Sequence, residues 1–179
     1  MALDLSYTNT GIAVFYDGIF QKELSKTKGT KPADGTDIHR CDMILAEIVR
    51  VADVVTRSRE KPLIFIEDYA FARNNLREKM GELGGVVKHG LWTLEYKTQT
   101  LPIATVRKVV TGKGNAAKDM VMMSLLKNYG LEIPQNDLAD AAAVGITGDY
   151  IMQYMEDNSV ILRLPIDVRE GLKGYLKNK

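Results

Sequence analysis

Four carboxylates stand where carboxylates are costly. Asp4 lies inside the first apolar stretch, Ala2-Leu3-Asp4-Leu5; Glu67 ends the most hydrophobic run, Leu63-Ile64-Phe65-Ile66; Asp137 and Asp140 open the last long helical segment. Acids are depleted in strands and are seldom fully buried without a partner. The i,i+3 spacing of Asp137 and Asp140 puts both on one helical face. If the strands of Asp4 and Glu67 are neighbours and this helix crosses their ends, four negative charges meet, and such a meeting is repulsive unless cations neutralise it. Mg²⁺ suits the role, because it takes an all-oxygen shell and typically uses one or two protein carboxylates per ion. Four acids therefore match a pair of ions, and two ions about 3.5–4 Å apart can hold the attacking and leaving oxygens of a phosphodiester in line.

Each residue also has a plainer explanation. Asp137 alone reads more readily as a helix cap or a complement to the helix dipole. Glu67 reads as an ordinary strand end, whereas Asp4 is harder to dismiss. From Lys97 to Lys118 the chain carries Arg107, Lys108 and Lys113 with no Asp or Glu among them, and a second cluster, Lys22, Lys26, Lys28 and Lys31, holds only Glu23 as an acid. Both stretches read equally as solvated faces or as phosphate-binding surfaces, and Lys118 equally as a solvated residue or a phosphate ligand. Tyr69, Phe71 and Arg73 follow Glu67 directly; the two aromatics fit a core first and a stacking platform for unpaired bases second.

The elements that must position these residues follow from periodicity. Ala2–Leu5, Gly11–Tyr16 and Ile19–Leu24 read as three short strands, followed by a polar loop over Lys26–Thr36. Asp37–Arg59 reads as a helix capped by Thr36 or Asp37, with Ile38, Cys41, Leu45, Ile48, Ala52 and Val55 inward. Leu63–Ile66 is a strand buried on both faces. Leu76–Leu94 is a helix whose Gly81, Gly84, Gly85 and Gly90 suggest close packing against another helix or a second subunit. Thr98–Thr105 reads as a strand, Val106–Thr111 and Ala116–Tyr129 as helices, and Asp137–Met155 as the last long helix. The fold class is α/β: a mixed central sheet of three antiparallel N-terminal strands plus parallel strands, with helices on both faces.

With 179 residues, 45% of them hydrophobic, and a net charge of +1, the chain is expected to form one domain over 1–179 with a C-terminal extension from about 150. No run approaches the ~20 apolar residues of a membrane span. The opening residues lack the pattern of a signal peptide, so a cytoplasmic location is expected. Cys41 is the only cysteine, which excludes an internal disulfide or a cysteine-based zinc site.

Four pieces in order carry a resemblance: Leu3-Asp4-Leu5-Ser6 with Thr10-Gly11, Ile64-Phe65-Ile66-Glu67, Thr111 to Lys118, and Asn136-Asp137-Leu138-Ala139-Asp140-Ala141. Together they resemble the RuvC family of Holliday-junction resolvases, within the ribonuclease H-like nuclease superfamily. The resemblance covers residue 2 to about 148, and Gly81-Glu82-Leu83-Gly84-Gly85 is similar to phage-encoded members. It implies that Asp4, Glu67, Asp137 and Asp140 bind two Mg²⁺ ions per subunit, with Mn²⁺ substituting, and that Lys118 is catalytic. Arg107 matches the family's upstream basic position. It further implies a homodimer that binds four-way DNA junctions and nicks two strands symmetrically, leaving 5′-phosphate and 3′-hydroxyl ends. Arg107, Lys108, Lys113, Lys26, Lys28, Lys31, Tyr69, Phe71 and Arg73 are the candidate DNA contacts. Three alternatives compete: an actin-like kinase or ATPase, which fails on length; a nuclease of the same fold acting on other branched DNA or on RNA; and a non-catalytic DNA-binding dimer.

Overall fold

The computed structural model describes residues 1–16, 18–26, 37–57, 60–69 and 74–177, with the backbone alone at 21–26 and 74–76. Lys28, Lys31, Phe71 and Arg73 lie outside the described residues. In chain order the elements are β1 (Ala2–Asp4), β2 (Gly11–Tyr16), β3 (Ile19–Lys26), α1 (Asp37–Thr56), β4 (Ile64–Glu67), α2 (Asn74–Thr93), β5 (Thr98–Leu101), α3 (Ile103–Thr111), α4 (Lys118–Tyr129) and α5 (Asn136–Glu156). A 3₁₀ turn (Asn158–Leu162) and α6 (Ile166–Leu176) follow. No helix among the described residues is long and apolar enough to cross a membrane.

The strands lie in the order β3-β2-β1-β4-β5. β1 runs antiparallel to β2 and parallel to β4, and β4 runs parallel to β5. Parallel neighbours need crossover connections, which α1 and α2 supply. The side-chain alternation of period two then sorts the core into two layers. Leu3, Ile12, Val14, Ile64 and Ile66 pack on α1 and α2. Ala2, Ala13 and Phe65 point the other way, into a layer built with α3, α4, α5 and α6. Asp4 shares the side of Ala2, and Glu67 that of Phe65. Both carboxylates therefore project toward the α5 face.

α5 is buried almost continuously from Leu138 to Gly148, as expected of a helix apolar on all sides. It approaches the sheet closely because a Cβ at Gly145 would lie 1.9 Å from Phe15 and one at Gly148 would lie 2.3 Å from Phe65.

Several expected boundaries shift. β1 ends at Asp4 rather than Leu5, and β3 extends to Lys26. The strand expected over Thr98–Thr105 stops at Leu101, and Ile103–Thr105 belong to α3. Pro102 explains this: it has no N–H for a sheet ladder, and its carbonyl accepts from Thr105 and Val106 to start a helix. α1 ends at Thr56 instead of Arg59, and α4 starts at Lys118 instead of Ala116. The buried stripe of α1 is Cys41, Ile44, Ile48, Val51, Ala52 and Val55; Ile38 is 49% exposed. Cys41, Ile48, Ala52 and Val55 face inward as expected, Leu45 packs at the edge of the same cluster, and Ile44 and Val51 join them.

Candidate active site at the sheet edge

β1 and β4 lie side by side, with Leu3 paired to Ile66, so the next residue of each strand, Asp4 and Glu67, ends its strand at the same edge. The first turn of α5 brings Asp137 and Asp140 to this edge. Gly11 of β2, paired with Asp4, makes the approach possible: a Cβ there would lie 2.1 Å from the Asp137 carbonyl oxygen. Thr10, fully buried, closes the turn behind Asp4; its hydroxyl donates to the Ser6 carbonyl at 2.9 Å and accepts from the Ser6 amide at 3.2 Å.

Asp140 is 6% exposed and paired at 2.6 Å with Nζ of Lys118, the first residue of α4. The other side of the Lys118 side chain stays open to solvent. Burial tends to lower the ammonium pKa, but the hydrogen bond and charge of Asp140 outweigh it, and the group is held above its ordinary range. Asp4 and Glu67 share a side-chain hydrogen bond. Burial, and then the charge of Asp140, lifts Asp4 well above the usual carboxylate range. Burial and the charge of Asp4 do the same to Glu67. The positive charge of Arg107 acts in the opposite direction on Glu67. Its Nε is buried and, among the described residues, without a hydrogen-bond partner.

The four carboxylates thus act on one another electrostatically, although among the described residues no three acidic, histidine or cysteine side chains already form a closed ligand group. The donor set still fits a hard divalent cation. It is all oxygen, it concentrates negative charge in a buried place, and the ionised forms of Asp4 and Glu67, which burial disfavours, are the forms a cation would stabilise.

No known family profile matches the chain. Several curated relatives do, each named crossover junction endodeoxyribonuclease RuvC. One from a Synechococcus strain is 29% identical over 106 residues, spanning 58% of this chain and 69% of the relative. One from Carboxydothermus hydrogenoformans is 32% identical over 94 residues, spanning 50% and 60%. One from a Sulfurovum strain is 30% identical over 107 residues, spanning 58% and 67%. The chain belongs to the RuvC family. Among solved structures, Thermus thermophilus RuvC matches with a TM-score of 0.63 at 22% identity, over 85% of this chain and 94% of that one. The same protein in complex with a Holliday junction substrate matches with a TM-score of 0.67 at 19% identity, over 85% and 93%. The fold is accordingly the ribonuclease H-like α/β fold of RuvC.

In this RuvC-family chain the remaining candidates separate. Arg107 and Lys108, adjacent in sequence, serve different neighbours: Arg107 acts on Glu67, and Lys108 on Glu170 of α6. Lys113 is exposed in the loop between α3 and α4. Lys26 is paired by its backbone with Gly11, two strands from the β1 strand of Asp4. Tyr69 is not a core aromatic; it is 38% exposed and lies over the glycines of α2, with Cε1 3.3 Å from a Cβ placed at Gly84. Gly90 packs against Leu45 of α1, while a Cβ at Gly85 would meet nothing within 4 Å. Asp137 does not cap its helix, since Gln135 holds that position.

Sequence reasoning missed Gly11 as a spacer and Arg40 as a brace. Arg40 donates to the Tyr7 carbonyl at 2.8 Å and covers the Tyr7 ring at 4.9 Å, fixing the turn after Asp4 from α1. The Thr10-Gly11 pair was a visible signal; nothing in the spacing of Arg40 marks it.

Proposed function

We propose that the chain is a structure-selective DNA endonuclease that resolves four-way junctions by paired, symmetric phosphodiester hydrolysis, leaving 5′-phosphate and 3′-hydroxyl ends. The observation that carries this is the meeting of Asp4, Glu67, Asp137 and Asp140, from three separate segments, at one sheet edge beside Lys118. Asp4, Glu67, Asp137 and Asp140 would hold two Mg²⁺ ions per subunit, with Mn²⁺ as a substitute. Bound there, the ions supply charge neutralisation at the scissile phosphate and a lowered pKa for attacking water.

The chain's own residues do the rest. Asp4 and Glu67 would have to be ionised to hold the ions, so proton release would accompany binding. Lys118, anchored by Asp140 but open on its other side, presents an ammonium to a phosphate oxygen as charge grows in the transition state. Arg107 holds Glu67 in place, and Lys113 and Lys26 contact the DNA backbone. Residues 1–179 act as one domain. Two such domains pair through the outer face of α2, where the space over Gly85 supports close approach, and so offer one site to each of two strands.

Synthetic four-way, three-way, flap and duplex DNAs incubated with Mg²⁺ test the reading. The expected result is paired nicks in the four-way substrate alone, with ends that ligase seals. Equal cutting of duplex or flap, or no cutting of any substrate, overturns it.

A further inference from the structure

α6 lies beyond the segment that carries the family motifs, yet it is one of the elements most closely packed on α3. Val168, Gly171 and Leu172 are its buried residues. Gly171 meets α3 at Val109: a Cβ there would lie 2.7 Å from Val109 Cγ2 and 3.0 Å from the Val109 amide nitrogen. Close approach therefore requires glycine, although alanine is the better helix former. At either end of this contact α6 has a second hold. The Asp167 carboxylate rests against Gly112, whose φ of +78° ends α3 in the left-handed conformation, and the Tyr175 hydroxyl bonds Gln99 of β5. Val109 is two residues from Arg107, which acts on Glu67.

The geometry points to Gly171 as a positioning residue: by letting α6 seat on Val109, it sets the depth of α3 and so the position of the Arg107 guanidinium, whose Nε is buried. This rests on the junction-endonuclease reading. A displacement of about 1 Å in a residue of this kind can cost 10²-fold in rate.

The test compares Gly171→Ala with Gly174→Ala on the same helix, where a Cβ meets nothing within 4 Å. Both substitutions change helix propensity equally, so their difference isolates the contact. Gly171→Ala is expected to lower single-turnover junction cleavage at least tenfold with junction affinity within twofold, and Gly174→Ala to cleave like the wild type. In an Arg107→Ala background, Gly171→Ala is expected to add no further loss. Tyr175→Phe, which deletes only one oxygen and so retains the fold, is measured in parallel; a smaller loss that also disappears in the Arg107→Ala background is expected. Equal cleavage by the two glycine variants overturns the proposal. So does multiplication of the Gly171→Ala or Tyr175→Phe loss by that of Arg107→Ala, since independent effects would mean that α6 supports the fold and not Arg107. A wild type that cleaves no junction overturns the functional reading instead.

Discussion

Gly11 lies directly beneath the backbone of Asp137, so close that a methyl group at position 11 would lie 2.1 Å from the Asp137 carbonyl oxygen. The first turn of α5, with its two carboxylates, reaches the sheet edge through this contact.

Gly11→Ala should therefore push that turn off the sheet. Overpacking of this kind typically costs about 1–3 kcal/mol, and misplaced acids should lower cleavage about 10²-fold. Thermal unfolding and single-turnover cleavage measure the two effects. Unchanged values for both would mean that α5 is not held at this distance.

Asp4→Asn, Glu67→Gln, Asp137→Asn and Asp140→Asn should each abolish cleavage while leaving junction binding intact or tighter, because losing a carboxylate also removes repulsion of phosphates. In the wild type Mg²⁺ should raise the unfolding temperature, and this shift should shrink in each variant. A variant that nicks normally at saturating Mg²⁺ does not belong to the site.

The raised carboxyls of Asp4 and Glu67 make the metal-free protein sensitive to pH. With folded pKa values above the unfolded ones, the native state binds more protons across the intervening range, so its stability falls as pH rises through neutrality. Mg²⁺ should cancel that fall, and its affinity should rise with pH as the proton is displaced. Unfolding temperatures recorded with chelator and with Mg²⁺ at about pH 6 and about pH 8.5 provide the check. A metal-free protein more stable at the higher pH would contradict the raised carboxyls.

Lys118 and the lysines of the 26–31 segment should separate in salt titrations. Lys118→Ala is expected to reduce single-turnover cleavage by about 10²-fold or more with little change in affinity. Joint substitution of Lys26, Lys28 and Lys31 should weaken binding and flatten the slope of log K against log salt by about one unit per lysine, leaving the cleavage step alone. Rescue of Lys118→Ala by excess enzyme would make it a phosphate contact only.

The strand and helix order was legible because apolar runs and three-to-four spacing respond to the two-layer core that forms. The acids were legible because Asp4 and Glu67 contradict the hydrophobicity around them. What stayed hidden depends on contacts between elements distant in sequence. Most of the inward stripe of α1 was legible, but the exposure of Ile38 at its first turn and the burial of Ile44 depend on what packs beside them. Arg107 and Lys108 look alike in a basic run; only the packing of α3 between the sheet edge and α6 turns one to Glu67 and the other to Glu170. The position of Tyr69 over Gly84 likewise depends on α2 folding back beside β4. Pro102, in contrast, was a readable signal whose competing β-branched neighbours obscured it.

The site is split along the chain, with Asp4 and Glu67 on strands and Asp137 and Asp140 on a helix that follows both. During synthesis the ribosome therefore releases two acids long before the other two, and a chain interrupted between β4 and α5 carries half of the set and lacks the helix that seals one face of the sheet. The full set comes together only when the last long helix docks.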